Sequence, residues 1–165
     1  MERIKLDQTN RDVTYAEKAD VWLMIAEHWF SAEDSVNAET YVNKAAHVMH
    51  HVSGDRALTI RYKHFQAKIS DSKRKFNLAA WEYYGLSNMD ELEPDDQLGV
   101  LKSAMTCAVL VPAGDTKYRL LSVLHKDERS KSIEPHFELL DKFFMGHVIK
   151  PAEVQNFEKE QLEDH

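Results

Sequence analysis

A chain of 165 residues is long enough for one compact domain or a short run of helical repeats with an apolar core, and too short for two large domains. Hydrophobic residues make up 43% and charged residues 30%, with 5 glycines and 4 prolines, a balance that excludes a disordered or loop-rich chain and suits amphipathic helices. The formal net charge of -7 opposes general attraction to nucleic acid or an anionic membrane, and the single cysteine, Cys107, rules out an internal disulfide.

In chain order, residues 1–14 mix charged and polar side chains without periodicity and are expected to form a flexible N-terminal segment. A helical period starts at Tyr15. Trp22, Ile25, Ala26, Trp29 and Phe30 fall on one stripe, and Ala38, Tyr41, Val42, Ala45, Ala46 and Met49 on the next. Gly54 and Asp55 punctuate the run, after which Leu58, Tyr62, Phe65 and Ile69 make a third stripe and Phe76, Ala79, Ala80, Tyr83 and Tyr84 a fourth. Val42, Ala45, Ala46 and Met49 return as Phe76, Ala79, Ala80 and Tyr83, a displacement of 34 residues that matches the tetratricopeptide period. The spacing therefore predicts stacked helix pairs over 15–111, in which the small Ala pairs let neighbouring helices approach closely.

Glu93, Pro94 and Asp95 read as a helix start, with proline in the first turn and carboxylates facing the positive end of the macrodipole. Leu98, Leu101, Met105, Ala108 and Val109 form its apolar face, and Pro112 and Gly114 end it. A shorter helix carrying Tyr118, Leu121 and Leu124 follows, then one with Ile133, Phe137, Leu140 and Phe144, and Pro151 opens a last acidic helix with Val154, Phe157 and Leu162. No strand pattern appears. The expected fold is all-α, a right-handed superhelix of TPR-like hairpins, with 112–165 as further helices.

Reactive chemistry is poorly provided for. His47, His50 and His51 have helical spacing, yet two imidazoles do not close a zinc site and no Cys pair accompanies them. His-x-His and His-Glu-x-x-His are both missing, as are the glycine-rich phosphate-binding signatures, so no metal, cofactor or small-molecule substrate is expected. Cys107 lies among apolar residues and reads as a buried filler, not a thiolate nucleophile. The aromatic residues Trp22, Trp29, Trp81, Tyr83 and Tyr84 read as core packing. One basic face remains: Arg61, Lys68, Lys73, Arg74 and Lys75 are the candidates for docking an acidic partner.

Several segments together resemble a known family. Ala38-Glu39-Thr40-Tyr41-Val42-Asn43-Lys44-Ala45, Lys73-Arg74-Lys75-Phe76 with Ala79-Ala80 and Leu86-Ser87, then Leu101-Lys102-Ser103-Ala104, Cys107-Ala108 and Ala113-Gly114, are similar in order and spacing to the COP9 signalosome subunit 4 family of PCI-domain proteins. The most specific piece is Arg119-Leu120-Leu121-Ser122-Val123-Leu124-His125-Lys126-Asp127-Glu128-Arg129, whose Lys-Asp-Glu-Arg core separates that family from its proteasome-lid paralogue. The resemblance spans Ala19 to Phe157 and implies helical repeats followed by the helical start of a PCI domain at 112–165, before the winged helix. It also implies a non-catalytic role in the cytoplasm and nucleus. The expected partners are other signalosome subunits and the cullin and RING end of cullin-RING ubiquitin ligases, in a complex whose metalloprotease subunit removes Nedd8 from cullins. The alternatives from the same fold are a PCI subunit of the proteasome lid or the translation-initiation machinery, and an RNA-binding helical repeat; an enzyme is the weakest reading.

Overall fold

The computed structural model describes residues 14–52 and 54–163, and every regular element among them is helical. The expected flexible segment at 1–14 lies outside the described residues except for Thr14. That residue starts the first helix with a reciprocal cap: its hydroxyl accepts the Glu17 amide at 3.2 Å, and Glu17 Oε2 accepts the Thr14 amide at 2.9 Å. The helices are α1 (Tyr15–Ser31), α2 (Ser35–Met49), α3 (Arg56–Ser72), α4 (Phe76–Ser87), α5 (Pro94–Leu110), α6 (Asp115–Lys126), α7 (His136–Met145) and α8 (Pro151–Glu163), with a 3-10 turn at Glu128–Ser132. The all-α class read from the stripes is what the chain adopts. Two compact units divide between Ser72 and Lys73, so α1 to α3 belong to the first and α4 to α8 to the second. The boundary drawn from sequence at 111/112 falls between α5 and α6, inside the second unit.

In the first unit α1 and α2 form a hairpin across the three-residue turn Ala32–Asp34, and α3 packs against both. Asp34 caps α2 by accepting the Asn37 amide at 3.0 Å, and Asp55 does the same for Leu58 at the start of α3. The core is built on Ala19, Leu23 and Ala26 of α1, Val42 and Ala45 of α2, Val52, and Leu58 and Phe65 of α3. Trp22 and Phe30 flank it half-buried, so the innermost line of α1 runs through Ala19 and Leu23 and not through the bulky aromatics that dominate the stripe in the sequence. Alanine at 19, 26 and 45 is what lets the hairpin close tightly enough to seal Leu23 completely.

The elements recur at 41 residues. Tyr15 and Arg56 begin α1 and α3, Ser35 and Phe76 begin α2 and α4, and both pairs are 41 positions apart. The turn residues Glu33 and Arg74, both left-handed with φ of 57° and 56°, share that offset. Ala38, Val42 and Ala45, the buried trio of α2, fall on Ala79, Tyr83 and Leu86, all buried on α4. The 34-residue match in the stripes differs from this offset by about two helical turns, which brings a stripe back to nearly the same face. Facing was therefore legible in the sequence, and the register along the helix was not.

The second unit is organised around α5. Pro94 stands in its first turn with Asp95 and Asp96, as the sequence indicates, and the Gln97 side chain ties the preceding loop by donating to the Met89 and Leu92 carbonyls at 3.0 and 3.2 Å. α5 packs against α4, α6, α7 and the 3-10 turn, which is why Val100, Leu101, Ala104, Met105, Cys107 and Ala108 are all buried around its circumference. Leu120, Leu121 and Leu124 of α6 and Leu139 and Leu140 of α7 complete this core. Gly146 ends α7 at φ 70°, where a side chain would be strained, and both its amide and that of His147 reach the Lys142 carbonyl.

Candidate interaction surface

The five candidate cations fall in different settings. Arg61, in α3, is already engaged: Nη1 donates to Asp20 Oδ1 at 2.6 Å and Nη2 stands 3.5 Å from Glu27 Oε2, both carboxylates lying two turns apart on α1. With side chains 37% to 62% exposed, this brace contributes no more than about 1 kcal/mol and serves mainly to fix how α3 lies on α1. A partner would have to compete with two carboxylates for it. Lys68 is exposed and carries its ammonium 5.7 Å from the centroid of Phe30, itself stacked on Phe65 at 5.5 Å.

Lys73, Arg74 and Lys75 form the exposed turn that enters α4. Arg74 takes the left-handed conformation at its centre, and Lys75 occupies the N-cap position of α4 without offering a side-chain acceptor. The matching turn before α2 has Asp34 there instead, and hydrogen bonding to Asn37 holds the Asp34 carboxyl below its ordinary range. The first turn of α4 contains no acidic residue either, so the helix itself supplies no negative group at its positive end.

Beyond this turn the outer face of α4 carries large apolar groups. Leu78 is 48% and Trp81 38% exposed, which corrects the assignment of Trp81 to core packing. Tyr83 is buried as expected, and Tyr84 meets Trp81 edge-on at 6.3 Å. The sequence signal for this surface is that Phe76–Ser87 contains one charged residue, Glu82, too few for a helix with one face in water.

The Lys-Asp-Glu-Arg segment turns out to brace the second unit. Arg129 donates through Nε and Nη2 to the Asp127 carboxylate at 3.1 and 2.7 Å, through Nη1 to the Ser87 carbonyl at 2.7 Å, and through Nη2 to Asn88 Oδ1 at 2.6 Å. Asp127 also caps the 3-10 turn by accepting the Arg129 amide at 3.0 Å. The hydrogen bonds from Arg129 hold the Asp127 carboxyl below its usual range and push the guanidinium pKa upward. The motif therefore ties the end of α4 to the segment after α6.

Further polar contacts among the described residues are also structural in geometry. Lys117 donates to the Val109 carbonyl at 2.6 Å at the end of α5, over the ring of Phe143 at 4.3 Å, and burial lowers its pKa. His125 Nε2 lies 2.8 Å from Asp141 Oδ1 between the stacked rings of Phe137 and Phe144. His51 stacks on Tyr15 at 4.6 Å and His50 tilts against it at 3.9 Å, while His47 is exposed on the preceding turn. No group of three or more metal-ligating side chains is gathered among the described residues, and no described helix is long and apolar enough to cross a membrane. Cys107 is 1% exposed, the buried filler its surroundings indicated.

Comparison with known proteins identifies the lineage. The chain is 39% identical over 155 residues to COP9 signalosome complex subunit 4 of Neurospora crassa, covering 93% of this chain and 35% of that protein. It is 36% identical over 163 residues to the Dictyostelium discoideum subunit 4 and 32% identical over 169 residues to that of Arabidopsis thaliana, covering 98% of this chain in both cases and 40% and 42% of those proteins. The chain thus spans well under half the length of these relatives. The sequence model of the family described as PSMD12/CSN4, N-terminal, matches residues 1–95, more than half of the chain, and the chain belongs to that family.

Proposed function

We propose that this chain is a non-catalytic interaction subunit of a COP9 signalosome, contributing to recognition of cullin-RING ubiquitin ligases and through it to the control of cullin deneddylation. The observation that carries the proposal is the similarity along nearly the whole chain to proteins named as signalosome subunit 4. The Asp127–Arg129 pair adds a structural role inside the matched span, bracing the segment after α6 against the end of α4. A scaffold role agrees with how the polar side chains are used: Asp34, Asp55 and Asp127 cap helical segments, and Arg61, Lys117 and Arg129 tie segments together. Stacked helices hold such surfaces rigid and repeatable, which suits recognition of a large partner. In this reading 15–111 is the repeat arm and 112–165 the start of a PCI domain, the partners are other signalosome subunits and the cullin and RING end of a ligase, and the protein works in cytoplasm and nucleus.

Affinity capture of the tagged chain from cell extract, read by mass spectrometry, tests this. Signalosome subunits together with cullins are the expected co-purifying proteins. Recovery of proteasome-lid or translation-initiation subunits in their place would overturn the assignment. The isolated chain is expected to leave Nedd8 on a neddylated cullin.

A further inference from the structure

The face of α4 that meets solvent is built from the wrong residues for a free surface. Leu78, Trp81 and Gly85 fall at three- and four-residue spacing opposite the buried Ala79, Tyr83 and Leu86. At Gly85, one turn beyond Trp81, nothing among the described residues lies within 4 Å of where a Cβ would stand, so the indole borders an open shelf. A helix apolar on both faces is ordinarily covered on both. Charge marks one end of this stripe: Arg74 and Lys75 are exposed at the start of α4, whose first turn has no acidic residue. One oxygen of Glu82, the only carboxylate on the helix, is shielded from solvent.

We propose that the outer face of α4 is a docking site for an acidic peptide segment of a partner protein carrying a large apolar anchor. The anchor packs on Leu78 and Trp81 and over Gly85, and the flanking carboxylates meet Arg74 and Lys75. Opposite charge selects the segment and speeds its encounter, while the desolvated apolar contact holds it. Single-stranded RNA fits less well, because two cations release few counterions and Trp81 offers one stacking ring beside the aliphatic Leu78, where a strand needs successive platforms. This deepens the recognition role proposed above and rests on it.

The test uses the whole chain and three fluorescein-labelled dodecapeptides in anisotropy titrations. One is acidic with a Leu and a Phe, one is acidic with both replaced by Ser, and one keeps Leu and Phe with every acid replaced by Lys; oligouridine is the fourth probe. The first peptide is expected to bind at least about tenfold more tightly than the others and to shift the indole resonance of Trp81 while those of Trp22 and Trp29 stay in place. Lys75→Asp is the decisive variant. It supplies the missing N-cap, so its melting temperature is expected to hold or rise while affinity falls about tenfold, which separates lost binding from lost folding. Leu78→Asp should weaken binding similarly, and Lys131→Glu, in the 3-10 turn, should leave it unchanged. No binding by the first peptide, equal binding by all three, tighter binding of oligouridine, or undiminished binding by Lys75→Asp would each overturn the proposal. The titration contains no other subunit, so it can fail while affinity capture still recovers the signalosome, and the converse also holds.

Discussion

Arg129 meets four acceptors with one planar guanidinium, and its carboxylate partner, Asp127, has a side chain only 10% exposed. A lysine at 129 could satisfy one of these acceptors at a time, so Arg129→Lys should cost nearly as much stability as Arg129→Ala. Asp127→Asn is expected to destabilise by about 1–2 kcal/mol at pH 7. Because the folded Asp127 pKa is depressed, its contribution is complete above the unfolded value and is lost as pH falls through the folded one. The gap between wild type and Asp127→Asn in urea denaturation should therefore narrow below about pH 4, and an unchanged gap at pH 3 would remove the brace from the account. Next to it, Ser130 is 0% exposed and its hydroxyl has no hydrogen-bond partner among the described residues. Ser130→Ala should be neutral or stabilising by up to about 1 kcal/mol, read as an increase in the urea midpoint.

Few groups hold α8 among the described residues. Among its described side chains Phe157 is the buried one, meeting the His136 ring edge-on at 5.0 Å, and Glu153 pairs with Lys142 at 2.8 Å, which together with the Lys150 amide lowers the Glu153 pKa. Phe157→Ala should release this helix alone: amide exchange of 151–163 should approach that of an unfolded chain while α5 stays protected, and loss of protection in α5 would show that the helix is integral to the core. Legibility follows the same lines. Helices were readable wherever apolar residues recur with the helical period, and Pro94 marks the start of α5 by a rule local to the backbone. What the pattern could not convey was which residue lies deepest. Trp22 and Trp29 dominate the α1 stripe, yet Ala19 and Leu23 are sealed, because close approach of α2 selects small groups at the contact. Trp81 was misread for the same reason, since an aromatic residue at helical spacing reads alike whether its face is covered by this chain or by another.

At the scale of the molecule, the two compact units meet in sequence at a turn that is basic, exposed and wound left-handed at Arg74. The basic face looked like one surface in the sequence because Arg61 to Lys75 lie close along the chain; Arg61 is drawn to α1 by carboxylates about 40 residues upstream, a long-range contact that composition does not encode. A protease needs several residues to leave regular structure before it can cut, and these become available most cheaply where a turn separates two units with cores of their own. Lys73, Arg74 and Lys75 supply trypsin sites at that point, whereas Arg56, Lys63, Lys68 and Lys102 lie within helices. Among the described residues, brief trypsin treatment should therefore cut first within 73–75, as read by intact-mass spectrometry. Lys75→Asp should slow this cut by removing one site and adding a cap to α4, and a first cut inside α3 or α5 would mean that the divide at Ser72 is not where the chain opens most easily.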